Sequence, residues 1–202
     1  MPKSVAKYCE LCAGALEKRV PVNDLKERLV CVVCDHILYA GPSVLVVVLI
    51  FSQGQMLLVK RGTFPYKDKW APPGGFVEAD ESLETAAVRE VHEEVGITLT
   101  RDQLLPHAMF SLPALNQISA CFLVVLDRPE TPRPAPPEAQ EARWFTEADY
   151  PAEEMWGPDI GFKIGPVFDK VRTGRFDFYQ QTDDALRVIS GNGEIHYLWR
   201  RP

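Results

Sequence analysis

The segment between Gly75 and Ile97 constrains the fold of this 202-residue chain more than any other stretch. It follows two prolines and two glycines in Trp70-Ala-Pro-Pro-Gly-Gly75, which force a tight, irregular path into the next element. Ser82 is a suitable helix N-cap, and Gly96 is placed to end the helix. The pattern therefore predicts a glycine loop followed by a helix from Leu83 to Val95.

The predicted helix carries a crowded set of acids. Successive helical residues are rotated by about 100°, so Glu90, Glu93 and Glu94 share one face. Like charges at this spacing disfavour a helix by roughly a few tenths of a kcal/mol per pair, and a divalent cation would remove that penalty. Carboxylate oxygens suit Mg²⁺ or Mn²⁺. The acids predict a metal and phosphate site, since an ordinary polar surface helix would leave the glycine loop unexplained.

Two other features of this helix support the same prediction. Val88, Val91 and Val95 form an adjacent apolar face that can pack against a sheet and direct the acids into a cleft. Arg89 lies one turn before Glu93, so its guanidinium can pair with a neighbouring carboxylate and fix that carboxylate's orientation.

Four of the five cysteines form two CxxC pairs separated by eighteen residues, Cys9 with Cys12 and Cys31 with Cys34. This spacing is typical of two knuckles that offer four thiolates to one tetrahedral Zn²⁺. About 40 residues build little core unaided, so the metal would supply folding free energy. Reduced or disulfide-paired cysteines in a loop are the weaker alternative. Cys121 is predicted to be a small buried hydrophobe.

Length and composition predict one main domain with a small appendage. We assign residues 1–40 to a zinc ribbon, 41–182 to the main domain and 183–202 to a C-terminal hairpin extension. The net charge of −6 argues against extensive nucleic-acid contacts. No signal-like or membrane-spanning apolar run is present in the sequence, so we expect a cytoplasmic protein with no membrane partner. The sequence leaves open a homodimer whose interface the hairpin completes.

The remaining elements follow from hydrophobic patterning. A buried strand at 44–51 and a returning strand at 56–60 form a hairpin, and further strands are predicted at 118–126 and 141–145. Residues 128–137 are predicted to be a proline-rich surface connection, and 159–171 an amphipathic helix. A terminal hairpin is predicted from strands at 185–189 and 194–199.

The spacing of glycine, acids and arginine from Gly75 to Ile97 resembles the Nudix box of the Nudix hydrolases at every fixed position. The resemblance implies an α/β fold, an α/β/α sandwich with a mixed sheet, and metal-dependent pyrophosphohydrolase activity. It further implies that Glu90 and Glu94 are principal metal ligands, with Glu93 as a ligand or base. The Gly75 carbonyl would be a further ligand. Glu81 and Arg89 would support the catalytic acids, and Glu141, favoured over Glu138, would be an extra ligand or base.

The ribbon followed by the box resembles the zinc-ribbon Nudix group, including its ADP-ribose/FAD pyrophosphatases. Pro113 lies sixteen residues after Ile97, a spacing associated with ADP-ribose pyrophosphatases. A motif that NADH pyrophosphatases carry downstream of the box has no counterpart here, which disfavours NADH. We therefore expect ADP-ribose or FAD as the substrate, a nucleotide-type small molecule. A nucleotide-sensing module without catalysis is the main alternative, and an RNA-end hydrolase is a weaker third.

Substrate contacts are predicted at Lys60 and Arg61, which could face a phosphate, and at aromatic residues that could stack on a purine. The aromatic candidates are Phe64, Trp70 and Phe110, although core packing competes for each of them.

Overall fold

The computed structural model describes residues 6–156, 165–174, 177–181, 185–191 and 193–200. The chain divides into two compact units, an N-terminal unit, Met1–Gly41, and a C-terminal unit, Pro42–Pro202. Among the described residues, no helix is both long and apolar enough to cross a bilayer.

The N-terminal unit is a small antiparallel sheet with two cysteine knuckles. Its strands are β1 (Leu16–Arg19), β2 (Arg28–Cys31) and β3 (Ile37–Leu38), in the order β1-β2-β3. The buried hydrophobic residues within its described part are Cys9, Val30 and Cys31, whereas Leu11, Val22 and Leu25 are exposed. Pro21 is buried as well, so two of the four buried residues described in this unit are cysteines. This core is too small to stabilise the unit by apolar burial alone.

The C-terminal unit is built on one mixed sheet. Its strands are β4 (Ser43–Ser52), β5 (Gln55–Arg61), β6 (Trp70–Ala71), β7 (Leu105–Leu112), β8 (Gln117–Leu126), β9 (Ala139–Thr146), β10 (Phe178–Gln181), β11 (Ala185–Ile189) and β12 (Ile195–Arg200). The order across the described part of the sheet is β12-β11-β10-β7-β8-β4-β5-β6, and β9 pairs with β5. The pairs β4·β8 and β7·β10 are parallel, and the other pairs are antiparallel.

Each face of this sheet is covered by a helix. On one face, α1 (Leu83–Val95) buries Ala86, Ala87, Val91 and Val95 against β4, β5 and β8. On the other, α2 (Gly165–Thr173) packs Val167 and Phe168 against β4 and β5. The arrangement is the predicted α/β/α sandwich with a mixed sheet.

Most strand predictions are confirmed, with ends shifted by a few residues. The predicted helix at 159–171 corresponds in its described part to α2, and residues 157–164 lie outside the description. The sequence analysis did not find β7 or β10. The terminal hairpin is part of the large sheet, because β11 pairs with β10 and β10 pairs with β7.

Candidate active site

The helix α1 is fixed at both ends and along its buried face. The backbone N–H of Thr85 donates to Ser82 Oγ at 3.2 Å, which caps the amino end. Gly96 adopts a left-handed conformation, φ 68°, and its N–H donates to the His92 carbonyl. Only glycine adopts this conformation without a steric penalty. The helix limits match the predicted Leu83 to Val95, and packing of Val91 and Val95 orients the acidic residues.

Arg89 gathers three of the acids around its guanidinium. Its Nη1 donates to Glu90 Oε1 at 2.8 Å and to Glu93 Oε2 at 3.0 Å. Its Nε and Nη2 donate to both oxygens of Glu81, at 3.1 and 2.5 Å. These hydrogen bonds hold the pKa of Glu81 below its ordinary value. Arg89 therefore neutralises and orients the cluster, as its position in the sequence predicted.

Two acids of the cluster are buried, Glu90 at 9% exposure and Glu94 at 8%. Burial raises the pKa of Glu94 to about 7, although the Gly74 N–H, which donates to Glu94 Oε2 at 2.9 Å, opposes this rise. Burial also raises the pKa of Glu90. The two buried carboxylates therefore favour a proton or a bound cation beside them.

Gly75 brings the backbone close to these acids. A Cβ at this position would lie 2.3 Å from the carboxyl carbon of Glu90, so only glycine leaves room for that side chain. The Gly75 carbonyl accepts a hydrogen bond from the Val46 N–H at 2.9 Å. A carbonyl oxygen has two lone pairs, so this bond is compatible with a second partner. Two buried carboxylates beside the Gly75 backbone form a set of oxygen donors that suits a hard divalent cation.

The proline-rich segment 128–137 closes the carboxyl end of α1. Arg133 and Ala135 donate their N–H groups to the carbonyls of Val95 and Glu94, at 2.8 and 3.2 Å. The segment then leads to Glu138, whose carbonyl accepts the Gly62 N–H at 2.7 Å. It was predicted as a plain surface connection, but its backbone caps the helix that carries the acids.

The four cysteines of the N-terminal unit converge. Their ligand sulfurs all lie within 4.8 Å of one another, and Cys9 Sγ is 3.7 Å from Cys34 Sγ. Tetrahedral Zn²⁺ with Zn–S bonds of about 2.3 Å requires S–S separations near 3.8 Å. Backbone N–H groups of Cys34 and Val33 lower the pKa of Cys31 to about 6, which favours a thiolate. These thiols fit the structural Zn²⁺ that the sequence predicted.

Each of the two units matches the model of a known protein family. A model described as the NUDIX domain matches residues 40–163, more than half of the chain. The chain belongs to the Nudix family. A second model, described as Nudix N-terminal, matches residues 7–40 and covers the cysteine ribbon.

Two curated relatives show the extent of the likeness. An ADP-ribose pyrophosphatase from Methanocaldococcus jannaschii is 47% identical over 60 residues, 30% of this chain and 36% of the relative. An NAD-capped RNA hydrolase NudC from Deinococcus radiodurans is 32% identical over 200 residues, 94% of this chain and 60% of the relative. The chain thus spans between about a third and three fifths of the length of these two curated relatives.

Among solved structures, a Nudix hydrolase from Nitrosomonas europaea matches with a TM-score of 0.74 and 29% identity. The match covers 87% of this chain and 97% of that one. It therefore extends over nearly the whole of both chains, and it supports the architecture described above.

Within this Nudix fold, Glu141 lies away from the acid cluster. It pairs with Lys60 across β5 and β9, whereas the next pair, Val59 and Ala142, packs in the α1 core. Alternation along a strand therefore places Glu141 and Lys60 on the opposite face of the sheet. Burial is the main cause of the raised pKa values of Glu90 and Glu94, and the charge of Glu138 is a smaller cause of both. We therefore revise the preference for Glu141 in favour of Glu138.

The two predicted cations also separate. Lys60 Nζ lies 5.8 Å from the ring centroid of Trp70, on the α2 side of the sheet. The charge of Arg61, in contrast, partly opposes the rise that burial causes in the pKa of Glu94. Lys60 therefore lies on the opposite face of the sheet from α1, and Arg61 is the predicted cation whose charge acts on the acids.

Two of the predicted stacking residues lie in the hydrophobic core. Trp70 is 6% exposed and packs edge-on against Phe145 with ring centroids 4.9 Å apart, and Phe110 is 3% exposed. Neither ring has a free face for a purine, so both substrate-contact predictions are corrected. Their positions in apolar, strand-like surroundings already favoured the core. Exposed aromatic rings lie instead at Phe64, Tyr66 and Phe76, and sequence reasoning missed the last two.

Proposed function

We propose that the C-terminal unit hydrolyses the pyrophosphate bond of a nucleoside diphosphate linked to another moiety. The observation that carries the proposal is the acid cluster on α1, in which Arg89 holds Glu90 and Glu93. Glu90 lies against Gly75, and Glu94 accepts the Gly74 N–H. Such a set of fixed oxygens suits a hard divalent cation, which in proteins is commonly shared with substrate phosphates. ADP-ribose or FAD is the leading substrate, and AMP is one product in either case.

The roles of the residues follow from their surroundings. Glu90, Glu93, Glu94 and the Gly75 carbonyl would hold Mg²⁺ or Mn²⁺. The cation, when bound, would neutralise charge on the diphosphate. Glu81 acts through Arg89, since both of its oxygens accept hydrogen bonds from that guanidinium. Arg61, whose charge acts on Glu94, would contact a phosphate group of the substrate.

The reaction needs a base for the attacking water. Glu138 is the favoured candidate, because its charge acts on the two buried acids and its backbone is tied to Gly62. Glu93 is the alternative, since its side chain is about half exposed and able to meet solvent. Proton transfer of this kind is typically worth about 10²- to 10⁴-fold in rate.

A second substrate class is favoured by the relatives. The NudC relative from Deinococcus radiodurans aligns with both units over 94% of this chain, whereas the ADP-ribose pyrophosphatase aligns over 30%. Dinucleotides of the NAD type, including NAD-capped RNA, are therefore the second candidate. They share with ADP-ribose an adenosine attached to a pyrophosphate, so one site could cleave either class.

One substrate panel tests the function. The purified 202-residue protein is incubated with ADP-ribose, FAD, NADH and NAD-capped RNA in Mg²⁺ or Mn²⁺, and products are identified by mass spectrometry. We expect AMP from ADP-ribose, and turnover lowered at least about 100-fold in Glu93→Gln and Glu94→Gln with the fold retained. Full activity of both variants would refute the assigned site. Binding of ADP-ribose without cleavage by the wild type would favour the nucleotide sensor.

The N-terminal unit is proposed to hold one structural Zn²⁺ through Cys9, Cys12, Cys31 and Cys34. Four protein thiolates would fill its tetrahedral shell and leave no position for a substrate, unlike a catalytic zinc. Hydrolysis is therefore assigned to the carboxylate site alone.

A further inference from the structure

The loop 62–69, which joins β5 to β6, carries two exposed aromatic side chains. Phe64 is 84% exposed and Tyr66 is 44% exposed. Single exposed apolar residues are common on protein surfaces, so exposure alone does not indicate a site. The position of this loop and the way it is held distinguish these two residues.

The loop is held in one conformation by its own backbone. The Arg61 N–H donates to the Lys69 carbonyl at 2.9 Å, and the Asp68 N–H donates back to the Arg61 carbonyl at 2.8 Å. Tyr66 and Asp68 both adopt left-handed backbone angles, φ 67°, which non-glycine residues rarely take. Such conformations persist only where surrounding contacts determine them, and they concentrate at ligand sites.

The ring of Tyr66 is braced from one side. It meets the ring of Trp156 edge-on, with centroids 5.9 Å apart and an interplanar angle of 83°. The backbone of Trp156 is fixed, because its backbone N–H donates to the Trp70 carbonyl at 2.7 Å. Tyr66 is thus braced on one side while the residue stays 44% exposed, so little side-chain freedom remains to be lost when a planar partner binds.

The loop lies between two stretches of backbone that are hydrogen-bonded to Glu94. At its start, Gly62 donates its N–H to the Glu138 carbonyl at 2.7 Å, and Glu138 follows Ala135, whose N–H donates to the Glu94 carbonyl at 3.2 Å. Beyond its end, β6 leads to Gly74, whose N–H donates to Glu94 Oε2 at 2.9 Å. The loop that bears Phe64 and Tyr66 is therefore joined at both ends to backbone next to the acid cluster.

We propose that Phe64 and Tyr66 form a stacking subsite for the nucleobase of the substrate, beside the site for its diphosphate. This inference rests on the proposed function and adds where the base binds. Aromatic stacking uses the π-face that every base has, so the subsite holds a base without demanding one hydrogen-bonding pattern. Hydrolysis then extends to diphosphates with different bases, with preference set by stacking strength.

Kinetics with two substrates test the subsite. Phe64→Ala is expected to raise KM for ADP-ribose about 10-fold or more and to leave kcat within about threefold. Phe64→Leu and Tyr66→Leu, which keep an apolar side chain but lose the ring, should show the same direction. An abasic analogue of ADP-ribose, with hydrogen in place of adenine, should have the same KM in all variants. Tyr197→Ala, which removes an exposed ring from β12 at the far end of the sheet, is the matched control.

Two results would overturn the proposal. One is an unchanged KM for ADP-ribose in all three loop variants, and the other is an equal rise in KM for the abasic analogue. Equilibrium binding of AMP, measured by calorimetry, separates this inference from the proposed function. If the wild type cleaves no diphosphate but loses AMP binding on Phe64→Ala, the subsite stands and hydrolysis fails. If the wild type cleaves ADP-ribose and the variants bind AMP equally well, the subsite fails and hydrolysis stands.

Discussion

The two regions proposed to bind metal gather their ligands in different ways. In the N-terminal unit the four thiols already lie within 4.8 Å of one another, and they are the only such group found among the described residues. In the C-terminal unit the carboxylates surround Arg89, which supplies positive charge within the protein itself. The difference agrees with the proposed assignments, in which a resident Zn²⁺ would stabilise its unit and a catalytic cation would exchange because Arg89 already partly neutralises the acids.

Metal removal should produce the largest difference in stability between the two units. Stripping zinc with a chelator should unfold the N-terminal unit, because structural zinc binding in small ribbons is worth about 10–16 kcal/mol, whereas the C-terminal unit should stay folded. Amide dispersion in NMR spectra and one zinc per chain by elemental analysis are the measurements. Cys121→Ala, which alters a cysteine outside the cluster, should keep its zinc. A ribbon that stays folded without metal contradicts this account.

A pair of glycine substitutions should separate the two regions next. Gly75→Ala would place a Cβ 2.3 Å from the Glu90 carboxyl carbon, so we expect turnover to fall about 100-fold with the fold kept. Gly14→Ala would place a Cβ 2.9 Å from Cys31 Sγ, so zinc affinity should fall while turnover per folded chain stays unchanged.

Steady-state kinetics and competition with a zinc-binding dye measure the two effects. Gly41→Ala is the control for both, because a Cβ there meets nothing within 4 Å. Equal losses of turnover in Gly75→Ala and Gly41→Ala would show that crowding at Glu90 is not the cause.

Acid should reveal a buried group of the C-terminal unit that neither metal site uses. Burial lowers the pKa of His107 to about 4, from an ordinary value of 6.5. A depressed histidine pKa means that the unfolded state binds the extra proton, so stability is full above about pH 6.5 and is lost as the pH falls toward 4. The loss should reach about 2 kcal/mol by pH 5.

Urea denaturation of wild type and His107→Gln at pH 7 and pH 5 measures this contribution. The substitution itself lowers the free energy of unfolding at both pH values, so the quantity to compare is the change in that free energy between pH 7 and pH 5. Subtracting this change in the variant from that in the wild type also cancels the titration of the carboxylates common to both proteins. An equal change in the free energy of unfolding in both proteins would refute the assignment to His107.

Replacing Arg89 should have the smallest effect, and it tests directly whether this residue supplies the positive charge that distinguishes the carboxylate site from the cysteine site. Arg89→Met should destabilise the C-terminal unit by about 1–2 kcal/mol, because three carboxylates lose their shared partner in a partly exposed site. Millimolar Mg²⁺ should restore more stability to this variant than to the wild type, since the metal then supplies the missing charge. Arg89→Lys, which keeps the charge but not the fork of donors, should fall between the two. An identical response of variant and wild type to Mg²⁺ would argue against this role.

The sequence predicted the features that depend on neighbours along the chain. The limits of α1, its caps, the pairing of Arg89 with acids and the cysteine cluster all follow from residues a few positions apart or from a fixed motif. Features set by long-range pairing were missed. Whether position 138 or 141 faces α1 depends on the register between β5 and β9, which includes an irregularity beside Lys60. The burial of Trp70 depends in the same way on contact with the distant Phe145.

The proline-rich segment before β9 is tied at both ends, to the carbonyls of α1 through Arg133 and Ala135 and to Gly62 through Glu138. A Cβ on Gly62 would lie 1.9 Å from the Pro137 carbonyl oxygen, so the backbones of the two segments are too close here for any residue other than glycine at position 62. Side chains along such a span can vary, but an inserted or deleted residue would shift Glu138 relative to the helix. Under the proposed role of Glu138 as the base, the number of residues in this connection is therefore itself a requirement for catalysis.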